Sequence, residues 1–247
     1  MLLSHAHRFI FLKPYKTGGT SLEFLLGKFM GEDDIITPVW LMDEAQRELH
    51  GSVPRNFLSV RHPPLTADII SHLKTEQELM AHLHSTALIY PRFHEHMPAS
   101  DVRGIVPATI WDSYLKISMT RHPYEVVVSS AYFYPLGDAV LRGRTISVDD
   151  LRAAVDAIIG KFWTSNVPIY TIDGSMAADY MIRYEAFEAD IRHLLVLLGF
   201  PHATPFPRLK TQFRQERRAA AELLTEEQKR RIYDINAREF ELFGYAR

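Results

Sequence analysis

Lys13-Pro14-Tyr15-Lys16-Thr17-Gly18-Gly19-Thr20-Ser21 is the stretch on which the reading of this chain turns. Just before it, Arg8-Phe9-Ile10-Phe11-Leu12-Lys13 is a short apolar run that suits a buried strand. Just after it, Ser21-Leu22-Glu23-Phe24-Leu25-Leu26 reads as the start of a helix. A glycine-containing turn between strand and helix has the ingredients of an anion cradle. Glycines let backbone N–H groups turn inward, hydroxyls add donors, a lysine adds charge, and the helix N-terminus adds its dipole. An ATPase loop would read GxxxxGK[ST], with the lysine behind the second glycine. Here Lys16 precedes Gly18 and Gly19, and no glycine stands five positions upstream. The alternative is a glycine-rich turn whose lysine is merely solvated.

A second segment, Ser118-Met119-Thr120-Arg121-His122-Pro123-Tyr124-Glu125-Val126-Val127-Val128-Ser129, repeats the arrangement. Residues 114–120 form a candidate strand, and Pro123 suits the first turn of a helix continuing to Tyr134. Ser129 then falls almost two turns into that helix, where its hydroxyl can share an anion with the Arg121 guanidinium, a bidentate phosphate donor. An arginine capping a sheet edge beside a solvent-facing serine is the competing reading. Open α/β sheets bind ligands where strands run into helices. Two phosphate-sized sites on one sheet point to a ligand phosphorylated at both ends.

The rest of the chain supplies the frame. Ser147-Val148-Asp149-Asp150 resembles a capping box opening a helix to about Trp163, and Thr225-Glu226-Glu227-Gln228 opens another toward Phe243. Residues 179–184 read as a third strand. Phe187, Ile191, Leu194, Leu195 and Leu198 then recur at helical spacing up to Gly199. The span 31–110 is less legible, with helices expected near 75–88 and 100–110. Alternating strands and helices predict an α/β fold, a mostly parallel sheet flanked by helices on both faces, in a single domain over residues 1–247.

Composition bounds the function. Of 247 residues 47% are apolar and 23% charged, as in an ordinary globular domain. The net charge is −2, from 28 Lys and Arg against 30 Asp and Glu, so no global field favours nucleic acid or membrane. Any anion site must be built locally. Cysteine is absent, which excludes disulfides, thiolate catalysis and cysteine-held zinc. His5, His7 and Arg8 interrupt any signal-peptide core, and no apolar run reaches the roughly 20 residues of a membrane span. A cytoplasmic protein without a transmembrane segment is expected.

The two motifs together resemble those of the PAPS-dependent sulfotransferases, in particular the carbohydrate O-sulfotransferases and their bacterial relatives. Members carry a 5′-phosphosulfate loop like KPYKTGGTS at 13–21, and a 3′-phosphate motif like RHPYEVVVS at 121–129. Arg183-Tyr184-Glu185 and the terminal Phe243-Gly244-Tyr245 add weaker likeness. The resemblance implies a P-loop-like fold, PAPS as donor, PAP as product and no metal. It implies that Lys16 stabilises the leaving phosphate, and that Thr17, Gly18, Gly19, Thr20 and Ser21 complete the 5′ cradle. Arg121 and Ser129 would take the 3′-phosphate. Lys210 and Arg214, in the basic stretch 208–218, stand where relatives fold a loop over the nucleotide; a solvated helix face is the alternative. His122 stands where Asn or Asp is usual, and Val126 where many relatives carry a second arginine, so fewer cations are expected at the 3′-phosphate.

The acceptor is expected to present a hydroxyl, on a saccharide or glycoconjugate, and to profit from a general base. The resemblance favours His96, with His94 second; either can equally be a surface histidine. His94/His96 and His82/His84 are also H-x-H pairs, without a third metal ligand at recognisable spacing. Glu23 and Glu95 are candidate acceptor-side carboxylates or solvated ones. Tyr132, Phe133, Tyr134 and Trp163 are core residues by default, of which one or two can stack on a sugar or on adenine. A small-molecule kinase, a nucleotide-binding module without turnover and a histidine metallohydrolase are the alternatives. Acceptor identity and oligomeric state carry no sequence signature.

Overall fold

Five strands build the central sheet of the computed structural model, which describes residues 1–58, 78, 92–207, 209–210 and 212–247. They are β1 (Leu2–Ser4), β2 (Phe9–Phe11), β3 (Ile35–Ile36), β4 (Leu115–Thr120) and, beyond a small hairpin of β5 (Thr171–Ile172) and β6 (Ser175–Met176), β7 (Tyr180–Arg183). Their order is β3-β1-β2-β4-β7. β4 pairs in parallel with both β2 and β7, while β1 is antiparallel to β2 and β3. Four strands therefore run one way and β1 runs against them. The sheet is mostly parallel, as the alternating pattern predicts.

Side chains alternate across the sheet with the period of two that a strand imposes. Phe9, Phe11, Ile117, Met119 and Ile182 face the layer made by α1 (Gly19–Gly27) and the helix Phe187–Leu197. Ile10 and Leu12 face the opposite layer, with Val102, Trp111, Tyr170 and Phe243. Both faces are apolar because both are covered, the usual condition of parallel strands. A third cluster forms outside the sheet, where helices Pro123–Phe133, Val148–Ile158 and Glu226–Phe243 pack together.

The capping readings hold at the level of atoms. Ser147 Oγ accepts from the Asp150 N–H, and Thr225 Oγ1 accepts from Gln228. Gly199 and Gly244 end their helices at φ of 73° and 65°. Three expectations need correction. The helix from Ser147 stops at Ile158, where Gly160 takes φ of 91°, and does not reach Trp163. The helix expected near 100–110 is two, Ala99–Ile105 and Ala108–Ser113, because Pro107 cannot continue the first. β1 and β3 were not expected at all. The helix near 75–88 and the His82/His84 pair lie outside the described residues, except for Glu78.

Candidate functional site

β2 and β4 are parallel neighbours, so the two motifs emerge side by side at the same sheet edge. Their contact is direct: Arg121 Nη1 donates to the carbonyl of Lys16 at 3.1 Å. Both motifs open onto one cavity of about 750 Å³, within the range of a nucleotide-sized pocket. β7 adds a third wall, because its exit delivers Tyr184, whose ring lies 4.0 Å from the Arg121 guanidinium carbon.

The loop's shape follows from its glycines. Gly18 is the N-cap of α1 at φ of 87°, and a Cβ there would meet Phe187 at 2.9 Å. A Cβ on Gly19 would meet the Lys13 side chain at 2.8 Å, so Gly19 leaves room for Lys13 to pass beneath. Lys16, His96 and Lys210 take left-handed φ of 56°, 59° and 60°. Such conformations are uncommon outside glycine and cluster at ligand sites. All three line this cavity.

Cations converge here, and most already have partners. Lys16 Nζ sits 3.6 Å from the centre of the Phe133 ring. Burial, with Lys210 and Arg121 nearby, depresses its pKa well below that of an ordinary lysine. Lys210 pairs with Asp43 at 2.6 Å, and Leu209 N–H donates to Ser21 Oγ. Arg121 and Arg214 both pair with Glu125, one turn beyond Arg121. Arg121 Nε is buried with no hydrogen-bond partner among the described residues. That orphaned donor and the unpaired Lys16 ammonium fit an anion, which is what a two-phosphate ligand would bring.

His96 stands at the other end of the cavity. Its ring stacks on Tyr15 at 3.8 Å, and Nδ1 lies 3.0 Å from the carbonyl of Lys13. A carbonyl only accepts, so Nδ1 carries the proton and Nε2 presents a lone pair. Burial lowers the imidazole pKa to about 4 and keeps it neutral. Glu95 lies 3.5 Å from Nε2. Lys13 bridges Glu95 and Glu23, each at 2.7 Å. Burial opposes ionisation of Glu23, but Lys13, the Met1 amine and Arg47 outweigh it and take its pKa to about 2. Buried Asn166 grips the Tyr15 backbone from both sides, accepting from its N–H and donating to its carbonyl.

The structure gathers Lys16, Gly18, Gly19, Thr20, Ser21, His96, Arg121, Ser129, Lys210 and Arg214 around the one cavity. Two expected residues stand apart. Thr17 is fully buried and turns back on the Pro14 carbonyl, and His94 is exposed with its ring on the Glu95 carbonyl. His94 and His96 therefore do not share a face. Glu23 is buried and ion-paired rather than solvated. His122 caps its own helix: Nδ1 accepts from the Tyr124 N–H, and Nε2 pairs with the Ala246 carbonyl. Lys13, Glu125 and Asn166 were missed as site residues. Glu125 had a signal, its position four residues after Arg121; Asn166 had none. Among the described residues, no three His, Asp or Glu side chains gather as metal ligands, and no helix is long and apolar enough to cross a membrane.

Residues 168–246 match the family model described as the sulfotransferase family. The match supports the PAPS-dependent sulfotransferase family. It covers the C-terminal third of the chain, including Tyr184, Lys210 and Arg214, and excludes both phosphate motifs. The sulfotransferase match and the two motifs are thus separate observations on separate residues, joined by the cavity. No curated protein and no solved structure matches the chain.

Proposed function

We propose that this chain moves a sulfuryl group from PAPS to an acceptor hydroxyl by in-line transfer. The observation that carries the reading is the union of the two motifs in one cavity, with Arg121 bonded to the loop of Lys16. In the reaction the acceptor oxygen forms a bond to sulfur as the bond from sulfur to the bridging phosphate oxygen breaks. The acceptor proton goes to His96 Nε2, and PAP leaves with the electron pair. Sulfuryl transfer of this kind needs positioning and charge stabilisation more than covalent chemistry.

Each role follows from the local chemistry. Lys16, unpaired and set in a left-handed turn, stabilises charge growing on the leaving phosphate. The N–H groups of Gly18, Gly19 and Thr20, with the Thr20 and Ser21 hydroxyls, hold the 5′ end. Arg121 and Ser129 hold the 3′-phosphate, and Lys210 and Arg214 close the C-terminal loop over the donor. His96 is neutral, oriented by the Lys13 carbonyl, and therefore a base at physiological pH.

Calorimetric titration with PAP in the absence of metal tests the donor half. Arg121→Ala removes a charge-assisted contact of about 1.5–3 kcal/mol, a loss of roughly 10- to 150-fold in affinity. PAP binding without magnesium, weaker ATP binding and that loss support the reading. ATP binding better than PAP, and only with magnesium, would instead favour a kinase.

A further inference from the structure

We infer that Asn166 is a positioning residue for sulfuryl transfer: its side chain clamps the backbone of Tyr15 and so sets Lys16 and His96 together. The inference rests on the sulfuryl-transfer reading and adds to it a residue that does not line the cavity. Asn166 is fully buried and lies outside both phosphate motifs and outside the matched residues 168–246. Its Oδ1 accepts from the Tyr15 N–H at 2.7 Å, and its Nδ2 donates to the Tyr15 carbonyl at 3.1 Å. One planar amide thus satisfies both backbone groups of one residue, as a neighbouring strand would. An acceptor beside a donor is what this needs: a carboxylate offers no proton, and an aliphatic chain offers neither group.

The clamp acts on Lys16 through the backbone. The carbonyl it holds belongs to the peptide that joins Tyr15 to Lys16. The next carbonyl, that of Lys16 itself, accepts from Arg121 at 3.1 Å. Lys16, at φ of 56°, therefore lies between two fixed peptide groups. A left-handed turn outside glycine persists only where its surroundings hold it, and these bonds hold this one. The clamp acts on His96 through the Tyr15 ring. That ring stacks on the imidazole at 3.8 Å with 19° between the planes. Phe162, four residues before Asn166, meets the same ring edge-on at 5.9 Å.

Asn166 is itself tied to the sheet. Its N–H donates to the Glu239 carboxyl, and Glu239 reaches Thr120, the last residue of β4, at 3.5 Å. Arg121 follows Thr120 in the chain. The contacts close a ring from Thr120 through Glu239, Asn166, Tyr15 and Lys16 to Arg121. Within it the Lys16 turn is fixed relative to β4.

The experiment follows the His96 imidazole by NMR titration of the full chain, its signal assigned with His96→Gln, and PAP affinity by calorimetry. Asn166→Ser opens the clamp and leaves room for a water. The charged groups around His96, namely Glu95, Lys13 and the Met1 amine, stay in place. Burial is the main cause of the low imidazole pKa, so loosening the Tyr15 cover should move the midpoint from about 4 toward 6.5. PAP should bind about 5- to 150-fold more weakly, as expected when one left-handed turn is no longer held. Tyr15→Ala should raise the midpoint likewise, and adding Asn166→Ser to it should raise it no further, because both act through one ring. If Asn166→Ser does not fold, Asn166→Asp keeps the size and the acceptor but its carboxylate cannot donate to the Tyr15 carbonyl, and the same two changes are expected. Val155→Ala, in the helical cluster and not on the cavity, should lower the melting temperature and move neither readout. An unchanged midpoint or PAP affinity in the Asn166 variant, a further rise in the double variant, or equal changes in Val155→Ala overturns the positioning role and leaves the donor reading standing. Failure of the wild type to bind PAP overturns the donor reading, and positioning for transfer with it.

Discussion

At the scale of single residues, Lys16 and His96 make opposite demands on the solvent. In the proposed reaction Lys16 acts as a cation, with its pKa depressed by burial and by Lys210 and Arg121, and His96 acts as a base, kept neutral by burial. The pH profile of kcat/KM reports the free enzyme. Its acid limb should fall near 4, as His96 gains a proton. Its alkaline limb should fall below the ordinary lysine range, as Lys16 loses one. Lys16→Met should flatten the alkaline limb and cut kcat by about 100- to 1,000-fold, while PAP still binds. A kcat within threefold of the wild type would remove Lys16 from the chemistry. Lys16, Arg121 and Ser129 were legible in the sequence because each is tied to a strand–helix junction at fixed spacing. Thr17 was misread because spacing does not say which way a hydroxyl points, and this one turns to Pro14.

At the scale of elements, the helix Glu226–Phe243 carries a buried carboxyl behind the site. Glu239 meets Thr120 Oγ1, the last residue of β4 before Arg121, at 3.5 Å. Burial raises its pKa to about 7. The sign is that of an acid whose folded pKa lies above its unfolded one: the fold favours the protonated form. Its stabilising effect is complete below about 4.5 and is lost as pH rises through about 7. The melting temperature should therefore fall between pH 5 and 8, and Glu239→Gln should fall less over that range. Equal slopes would show that Glu239 does not titrate there. Elements with local signals were readable: two capping boxes, helix-stopping glycines, and the strands β2, β4 and β7, of three to six residues. β1 and β3, of three and two residues, carry no period of their own and exist only by pairing with their neighbours.

At the scale of the molecule, the cavity is assembled from segments near both ends of the chain and from its middle. Lys210 reaches Asp43, Leu209 reaches Ser21, and Arg214 reaches Glu125. A ligand that bridges these segments should stabilise the whole fold. At 100 times its dissociation constant PAP should add about 2.7 kcal/mol, a rise of roughly 5–11 °C in melting temperature for a chain of this size. Scanning fluorimetry without metal reads this directly. No shift at saturating PAP would mean that the ligand does not join the segments.

By itself the sequence determined the α/β class, the two strand–loop–helix segments at 13–21 and 121–129, and the helix boundaries set by caps. These depend on neighbours a few residues apart, where backbone geometry leaves few choices. Tertiary structure alone decided which residues face the cavity. Pairing β2 with β4 brought Arg121 onto the Lys16 loop, and the fold placed His96, not His94, on the cavity. Folding also lined Phe133, Tyr134, Trp163, Phe162 and Tyr15 into one arc. Such contacts join positions up to 188 residues apart, as Leu209 with Ser21. Residue spacing along the chain holds no record of them.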